Sequence, residues 1–189
     1  MKVRESGMPE QVVWERFFDV EDILIKLGLQ ENCCTVLDFG CGYGTFTHVA
    51  ARMISGKVIA LDIDENMLDW AERYTQQHHI DNIEFSHIDF ITDGSGLAGN
   101  SVDFAMLFNI LHLENPIALL QEAYRNLSLG GKLSVIHWNV DPDTPRGPPL
   151  HMRPSPEQCI LWATSIGFTL VNNEIIDLAP YHFGLVFEK

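Results

Sequence analysis

The chain has 189 residues, 26 acidic against 12 basic side chains, a formal net charge of −14, and 46% hydrophobic residues. It is long enough to bury a core without staples, and its charge repels nucleic acid and anionic membrane surfaces. No run approaches the roughly 18 uninterrupted apolar residues of a membrane span, so a cytoplasmic protein with neither nucleic-acid nor membrane partner is expected.

Residues 1–7 carry no pattern. Met8 to Leu29 reads as two helical pieces. Pro9 suits a first turn, with Val13, Phe17 and Val20 at near-helical spacing. Asp19 and Asp22 cap a second piece that buries Ile23, Leu24 and Leu27 and stops at Gly28. Trp14, Phe17 and Phe18 make this entry aromatic. Such a stripe packs against a core or covers a ligand, so Trp14 joins the candidate acceptor-side residues.

Thr35–Phe39 is the first predicted strand, followed by a helix with Phe46, Val49, Ala50 and Met53 on its apolar face and Gly56 at its end. Lys57–Ile63 is a second continuous apolar strand closing on Asp62, and Asp64 caps a helix in which Met67, Ala71 and Tyr74 share a side. Ile83–Ile88 and Val102–Phe108 are strands three and four, with Asp89-Phe90 and a Gly- and Ser-containing loop between them. Asn115-Pro116 opens a helix with Ile117, Leu120, Tyr124 and Leu127 on one face, and Leu129-Gly130-Gly131 turns into strand five, Lys132–Trp138. Strands alternating with such helices mean βαβ units and a parallel sheet, an α/β fold.

The rhythm then changes. Asp141 to Pro154 holds five prolines and a glycine. Ser155-Pro156-Glu157-Gln158 starts a helix that ends at Gly167, and Phe168–Ile176 and His182–Phe187 read as two closing, antiparallel strands. Residues 1–189 form one expected domain: a helical extension over 1–30, a cofactor-binding core over 36–139, an acceptor-side loop over 140–154 and a closing helix and strand pair over 155–189. Cys33, Cys34, Cys41 and Cys159 make no C-x-x-C pair, so a metal or disulfide framework is not expected and a reducing compartment fits.

The chemistry concentrates in Val36–Phe46, V-L-D-F-G-C-G-Y-G-T-F. A buried strand runs into Asp38, then into Gly40, Gly42 and Gly44 at alternate positions, then into a helix start with its free N–H groups and positive dipole end. Asp62, at the end of the next strand, lies where an acid takes both hydroxyls of a ribose. Dinucleotide folds share that acid. Their fingerprint is G-x-G-x-x-G, however, and here the third position is Thr45. Asp38 would also repel a pyrophosphate and favour a ligand bearing an ammonium and a sulfonium, by roughly the 1–3 kcal/mol of a charge-assisted hydrogen bond. S-adenosylmethionine therefore fits better than NAD.

V-L-D-F-G-C-G-Y-G, V-I-A-L-D-I-D-E-N-M-L, I-E-F-S-H-I-D-F, V-D-F-A-M-L-F-N-I-L-H and L-S-L-G-G-K-L together resemble the successive motifs of class I S-adenosylmethionine-dependent methyltransferases of the small-molecule, type 11-like group. The resemblance runs from Val36 to Trp138. It implies a doubly wound, Rossmann-like seven-stranded sheet of order 3-2-1-4-5-7-6 with strand 7 antiparallel. It implies that Asp38 meets the methionine ammonium, that Gly40, Gly42 and Gly44 line the methionine and ribose, and that Asp62 holds the ribose. Ile63 would pack on the adenine, Asp89 and the Phe90 main-chain N–H would bond to it, and Phe108 or Asn109 would present a carbonyl to the ammonium.

Methyl transfer from a sulfonium is an in-line displacement, for which positioning alone can supply roughly 7–11 kcal/mol. A base is needed only where the acceptor must lose a proton. His137 at the end of strand five and His112 after strand four are the candidate bases. His151, Arg146 and Arg153 in the proline-rich loop are candidates for holding the acceptor, the arginines through a carboxylate or phosphate. Metal-dependent relatives carry acids at the ends of strands four and five; Phe108-Asn109 and Trp138-Asn139 stand there instead, so no metal is expected. The expected function is methyl transfer to a small molecule, the alternatives being a non-catalytic module that binds the same donor and an NAD(P)-dependent oxidoreductase.

Overall fold

A computed structural model describes residues 19–140, 144 and 147–189. The expected first helix, near Pro9 to Phe18, lies outside them. In chain order the elements are α1 (Val20–Lys26), β1 (Thr35–Phe39), α2 (Thr45–Met53), β2 (Lys57–Asp62), α3 (Glu65–Gln77), β3 (Ile83–His87), β4 (Val102–Phe108), α4 (Pro116–Asn126), β5 (Leu127–Trp138), α5 (Pro156–Ile166), β6 (Thr169–Leu170), β7 (Ile176–Leu178) and β8 (His182–Glu188). The sheet order is β3-β2-β1-β4-β5-β8-β6, with β7 also paired to β8. β1 to β5 are parallel, and β8 runs antiparallel between β5 and the β6/β7 edge.

Period-two alternation distributes the strands between two cores. Leu37, Phe39, Ile59, Leu61, Ala105, Leu107, Leu133 and Val135 face Leu119, Leu120 and Ala123 of α4 and Cys159 and Ala163 of α5. Val36, Val58, Phe104, Met106 and Ile136 face Ile23, Leu24 and Leu27 of α1 and Phe46, Ala50 and Ala51 of α2. The helix starts follow the capping residues: Asp19, Asp64, Asn115 and Ser155 each accept a main-chain N–H two or three residues on.

Four expectations are corrected. The strand expected over Phe168–Ile176 is broken, because Asn172 and Asn173 adopt φ of 55° and 51° and turn the chain out of the extended region. Its two pieces, β6 and β7, flank β8 on one edge and raise the strand count from seven to eight. β5 begins at Leu127 rather than Lys132, running through Gly130 with a register shift against β4. Ile117 is exposed, and the inward face of α4 is Leu119, Leu120 and Ala123.

Gly56 does not cap α2, which ends at Ile54 in an extended conformation. Its role is close approach: a Cβ there would collide with the main-chain carbonyls of Cys33 and Cys34, next to the Lys57 N–H···O Cys34 bond of 3.0 Å that begins the β1–β2 pairing. Gly56→Ala should therefore cost about 1–3 kcal/mol by forcing that strand start apart. Urea unfolding of the two proteins checks this, with a decrease in midpoint at unchanged slope as the expected result.

Candidate active site

The glycine turn links β1 to α2 and is held against the end of β2. The Gly40 and Cys41 N–H groups both donate to the Leu61 carbonyl, at 2.8 and 3.0 Å. The next donor, Gly42 N–H, reaches Asp62 Oδ2 at 2.8 Å, and Asp62 Oδ1 accepts from the Asp64 N–H at 2.9 Å. Asp62 thus braces the turn as well as facing the ends of the parallel strands. Burial raises its carboxyl, against hydrogen bonds from the amides of Asp64, Gly42 and Ile63.

Asp38 lies one strand over and is 3% exposed. Thr47 Oγ1, from the first turn of α2, donates to its Oδ2 at 2.6 Å. Burial pushes its carboxyl up to about 7, opposed by the Thr47 bond and reinforced by the neighbouring Asp62. Two acids thus sit together with no cationic side chain between them in the contacts of the described residues.

Gly40, Gly42 and Gly44 all have positive φ, of 76°, 54° and 78°. At Gly44 the space a Cβ would fill is taken by the imidazole of His48, which would stand 2.5 Å from it. His48 is buried; its Nε2 lies 3.1 Å from the Ala71 carbonyl of α3, and its ring stacks on Tyr74 at 4.4 Å. Burial drives its pKa down to about 4, so the ring is neutral. Sequence reasoning missed His48, although four residues after Gly44 on a helix is the spacing that lays a side chain back over the turn.

The other expected donor-side residues ring the same end of the sheet. Asp89 follows β3 and bonds its own turn, accepting from Ile91 N–H at 3.1 Å and Thr92 Oγ1 at 3.0 Å. Burial works to raise its carboxyl, but those hydrogen bonds outweigh it and the net shift is downward. Phe90 is buried edge-on against Phe39 at 5.4 Å and below Gly40. Ile63 directly follows β2 and is partly exposed, while Phe108 packs on Phe46 at 4.7 Å. Asn109 takes φ of 56°.

Two buried groups at this end have no hydrogen-bond partner among the described residues: Thr45 Oγ1 and both polar atoms of the Asn109 amide. Native interiors seldom leave such groups unsatisfied. Their presence beside two uncompensated acids fits a polar, cationic ligand between the ends of β1, β2 and β4. Neither Thr45 nor the Asn109 side chain was readable from sequence, because orphaned atoms are a tertiary property.

On the acceptor side, Trp14 and Arg146 lie outside the described residues. His151 is exposed in a single 3₁₀ turn, Leu150–Met152. Arg153 is held by its own loop: Nε donates to Pro148 O at 2.8 Å, and Nη1 donates to Asn139 O at 3.0 Å and to Thr144 Oγ1 at 2.5 Å. Its guanidinium also lies 5.5 Å from the Trp138 ring centre, and the Gly147 backbone packs on the same indole. These contacts make Arg153 a clamp for the proline-rich loop. Arg153→Ala should leave residues 147–153 markedly faster to exchange amide hydrogens, with protection of β1 and β4 unchanged.

His112 and His137 are brought together, ring centres 5.6 Å apart and planes at 69°. His137 is fully buried, and burial, with His112, His182 and Arg153 adding, drives its pKa down to about 3. Among the described residues no group of three or more His, Cys, Asp or Glu is placed to hold a metal ion, and no helix is long and apolar enough to cross a membrane.

The same fold occurs among known proteins. A SAM-dependent methyltransferase from Aquifex aeolicus superposes with a TM-score of 0.82 at 27% identity, over 96% of this chain and 93% of that one. Among curated proteins, the N-demethylindolmycin N-methyltransferase of Streptomyces griseus is 27% identical over 119 residues, 60% of this chain and 47% of that protein. The demethylmenaquinone methyltransferase of Oceanobacillus iheyensis is 29% identical over 109 residues, 54% of this chain and 43% of that protein. The chain spans less than half the length of these two curated relatives. The methyltransferase-domain family matches residues 30–169, and the chain therefore belongs to that family.

Proposed function

We propose that this protein transfers the methyl group of S-adenosylmethionine to a small-molecule acceptor by in-line displacement. The observation that carries the reading is the pair of buried carboxylates, Asp38 and Asp62, flanking a turn of positive-φ glycines at the carboxyl ends of β1 and β2. That pair favours a ligand with positive charge and vicinal hydroxyls and disfavours a diphosphate.

In this reading Asp38 takes the ammonium of the donor's amino-acid end, and Gly40, Gly42 and Gly44 let it approach the backbone. Asp62 holds the ribose hydroxyls through the lone pairs that Gly42 and Asp64 leave open. Ile63 packs on the adenine, and Asp89 and the Phe90 N–H read its edge. The carbonyl of Phe108 or Asn109 completes the ammonium site. The donor supplies an electrophilic methyl on sulfonium; the chain orients it and excludes water. The relatives named above differ in what they methylate, and an N-methyltransferase stands beside a demethylmenaquinone enzyme. A small molecule is favoured here over a nucleic acid by the net charge of −14.

Isothermal titration with S-adenosylhomocysteine and with NADH tests this. Binding of the first and indifference to the second is the expected result. Preference for NADH would reject the reading, and binding without turnover across a radiolabelled-methyl screen of small-molecule pools would favour a non-catalytic donor-binding module.

A further inference from the structure

The glycine turn is anchored on two sides. Its first half is tied to β2, through the Leu61 carbonyl and the Asp62 carboxylate. Its second half, Tyr43 and Gly44, leans on aromatic side chains of α2 and α3. We infer that Tyr74 is a positioning residue for the amino-acid end of the donor, because it holds Tyr43 and Gly44 in place through Trp70 and His48. The inference rests on the methyl-transfer reading and adds to it a residue that acts on the donor through others.

Two arms reach the turn. The ring of Tyr43 meets Trp70 of α3 edge to face at 5.6 Å, and Trp70 stacks on Tyr74 at 5.6 Å with planes 23° apart. Gly44, with φ of 78°, is backed by the His48 imidazole, whose nearest atom would stand 2.5 Å from a Cβ placed there. That imidazole stacks on Tyr74 at 4.4 Å and lies 3.1 Å from the Ala71 carbonyl. The arms therefore start from adjacent residues of the turn and converge on one ring. Trp70 and Tyr74 are one helical turn apart on α3, and His78, a further turn on, stacks on Tyr74 at 3.9 Å. Tyr74 also packs on the core that faces α1 and α2, so the ring that gathers both arms is itself fixed.

The two acids show which part of the donor this clamp serves. Gly42 donates to Asp62, the acid proposed for the ribose, so the first half of the turn goes with the nucleoside. Thr47, three residues after Gly44, donates at 2.6 Å to Asp38, the acid proposed for the ammonium. The second half of the turn therefore goes with the amino-acid end. Burial keeps His48 neutral, so the wedge against Gly44 brings no positive charge toward a cationic donor. A tilt of Tyr43 and Gly44 would carry the start of α2 with it and shift Thr47 against Asp38. A displacement of about 1 Å is enough to weaken a contact that depends on such positioning.

Two ligands titrated into the 189-residue chain separate this role from a merely structural one. S-adenosylhomocysteine carries both ends of the donor, whereas 5′-methylthioadenosine keeps the nucleoside and thioether and lacks the amino acid. Tyr74→Leu should weaken the first about tenfold and the second by less than about twofold. Tyr74→Phe, which keeps the ring, should restore the wild-type ratio. Trp70→Leu removes one arm at a half-buried position. It should give about a threefold loss with the same sparing of the nucleoside, and it carries the comparison should Tyr74→Leu fail to fold. Combined, the two substitutions should lose no more than Tyr74→Leu alone, since both act through one ring. Equal losses for the two ligands, or unchanged affinity for both in Tyr74→Leu and Trp70→Leu, overturns the inference. Failure of S-adenosylhomocysteine to bind the wild type would reject the donor reading and the inference with it, a failure distinct from the other two.

Discussion

Asp62→Ala should weaken S-adenosylhomocysteine binding by at least about 100-fold, the largest single effect expected in this protein. The carboxylate does two things at once. Its oxygens bond the Gly42 and Asp64 amides at 2.8 and 2.9 Å, and their remaining lone pairs are the acceptors proposed for two ribose hydroxyls. Each hydrogen bond to a charged group contributes about 1.5–3 kcal/mol, so losing both ribose contacts accounts for the effect before any movement of the turn. The free protein should be far less affected. Alanine strands the Gly42 amide, but it also removes a buried carboxyl whose ionised form burial disfavours, and the two offset. The increase in thermal midpoint on adding the ligand should therefore vanish while the ligand-free midpoint moves little. Asp62→Asn, which keeps one acceptor oxygen, should fall between the two. Alanine binding within threefold of wild type would remove Asp62 from the site.

Much of the framework around this candidate site was legible in the residues because its determinants are local. Thr35–Phe39 and Val102–Phe108 are continuous apolar runs because a central parallel strand is covered on both faces, and the structure places both strands within those bounds. The glycine turn and the acid at the end of β2 announce themselves by spacing. The closing third was less legible. Its penultimate strand is broken by two adjacent asparagines in the left-handed region, a conformation asparagine tolerates without requiring, so that pairing of the two pieces with β8 decides it. The hold of Arg153 on its own loop was not legible either, because its partners Pro148 O, Asn139 O and Thr144 Oγ1 are set by how the loop folds back on the end of β5. His48 and the orphaned Asn109 amide depend on which helix faces which strand end, and no window of sequence contains that.

Donor binding should be linked to proton release near neutral pH through Asp38. In the folded, ligand-free protein its carboxyl titrates at about 7, whereas in the unfolded chain it has the ordinary value of 3.8. Between these values the folded state holds a proton that the unfolded state has shed. Stability therefore falls as pH rises through this window, by on the order of 4 kcal/mol if Asp38 acted alone and its neighbours did not relax. An ammonium placed against Asp38 reverses the preference, because it stabilises the ionised form. At pH 7 binding should then expel about half a proton, and below that pH affinity for S-adenosylhomocysteine should decline by up to about tenfold per unit. Titrations in buffers of different ionisation enthalpy read the proton directly. Asp38→Asn should give buffer-independent heats and a flat affinity profile between pH 5 and about 7, with a folded state more stable than wild type at pH 8, where the wild type must bury the charge. Thr47→Val separates the two influences on the group. Losing the 2.6 Å hydrogen bond that favours the carboxylate should move the proton release to higher pH without removing it. Heats that are the same in every buffer for the wild type would mean that the ammonium does not meet Asp38, and the charge logic that selects the donor would have to rest on Asp62 alone.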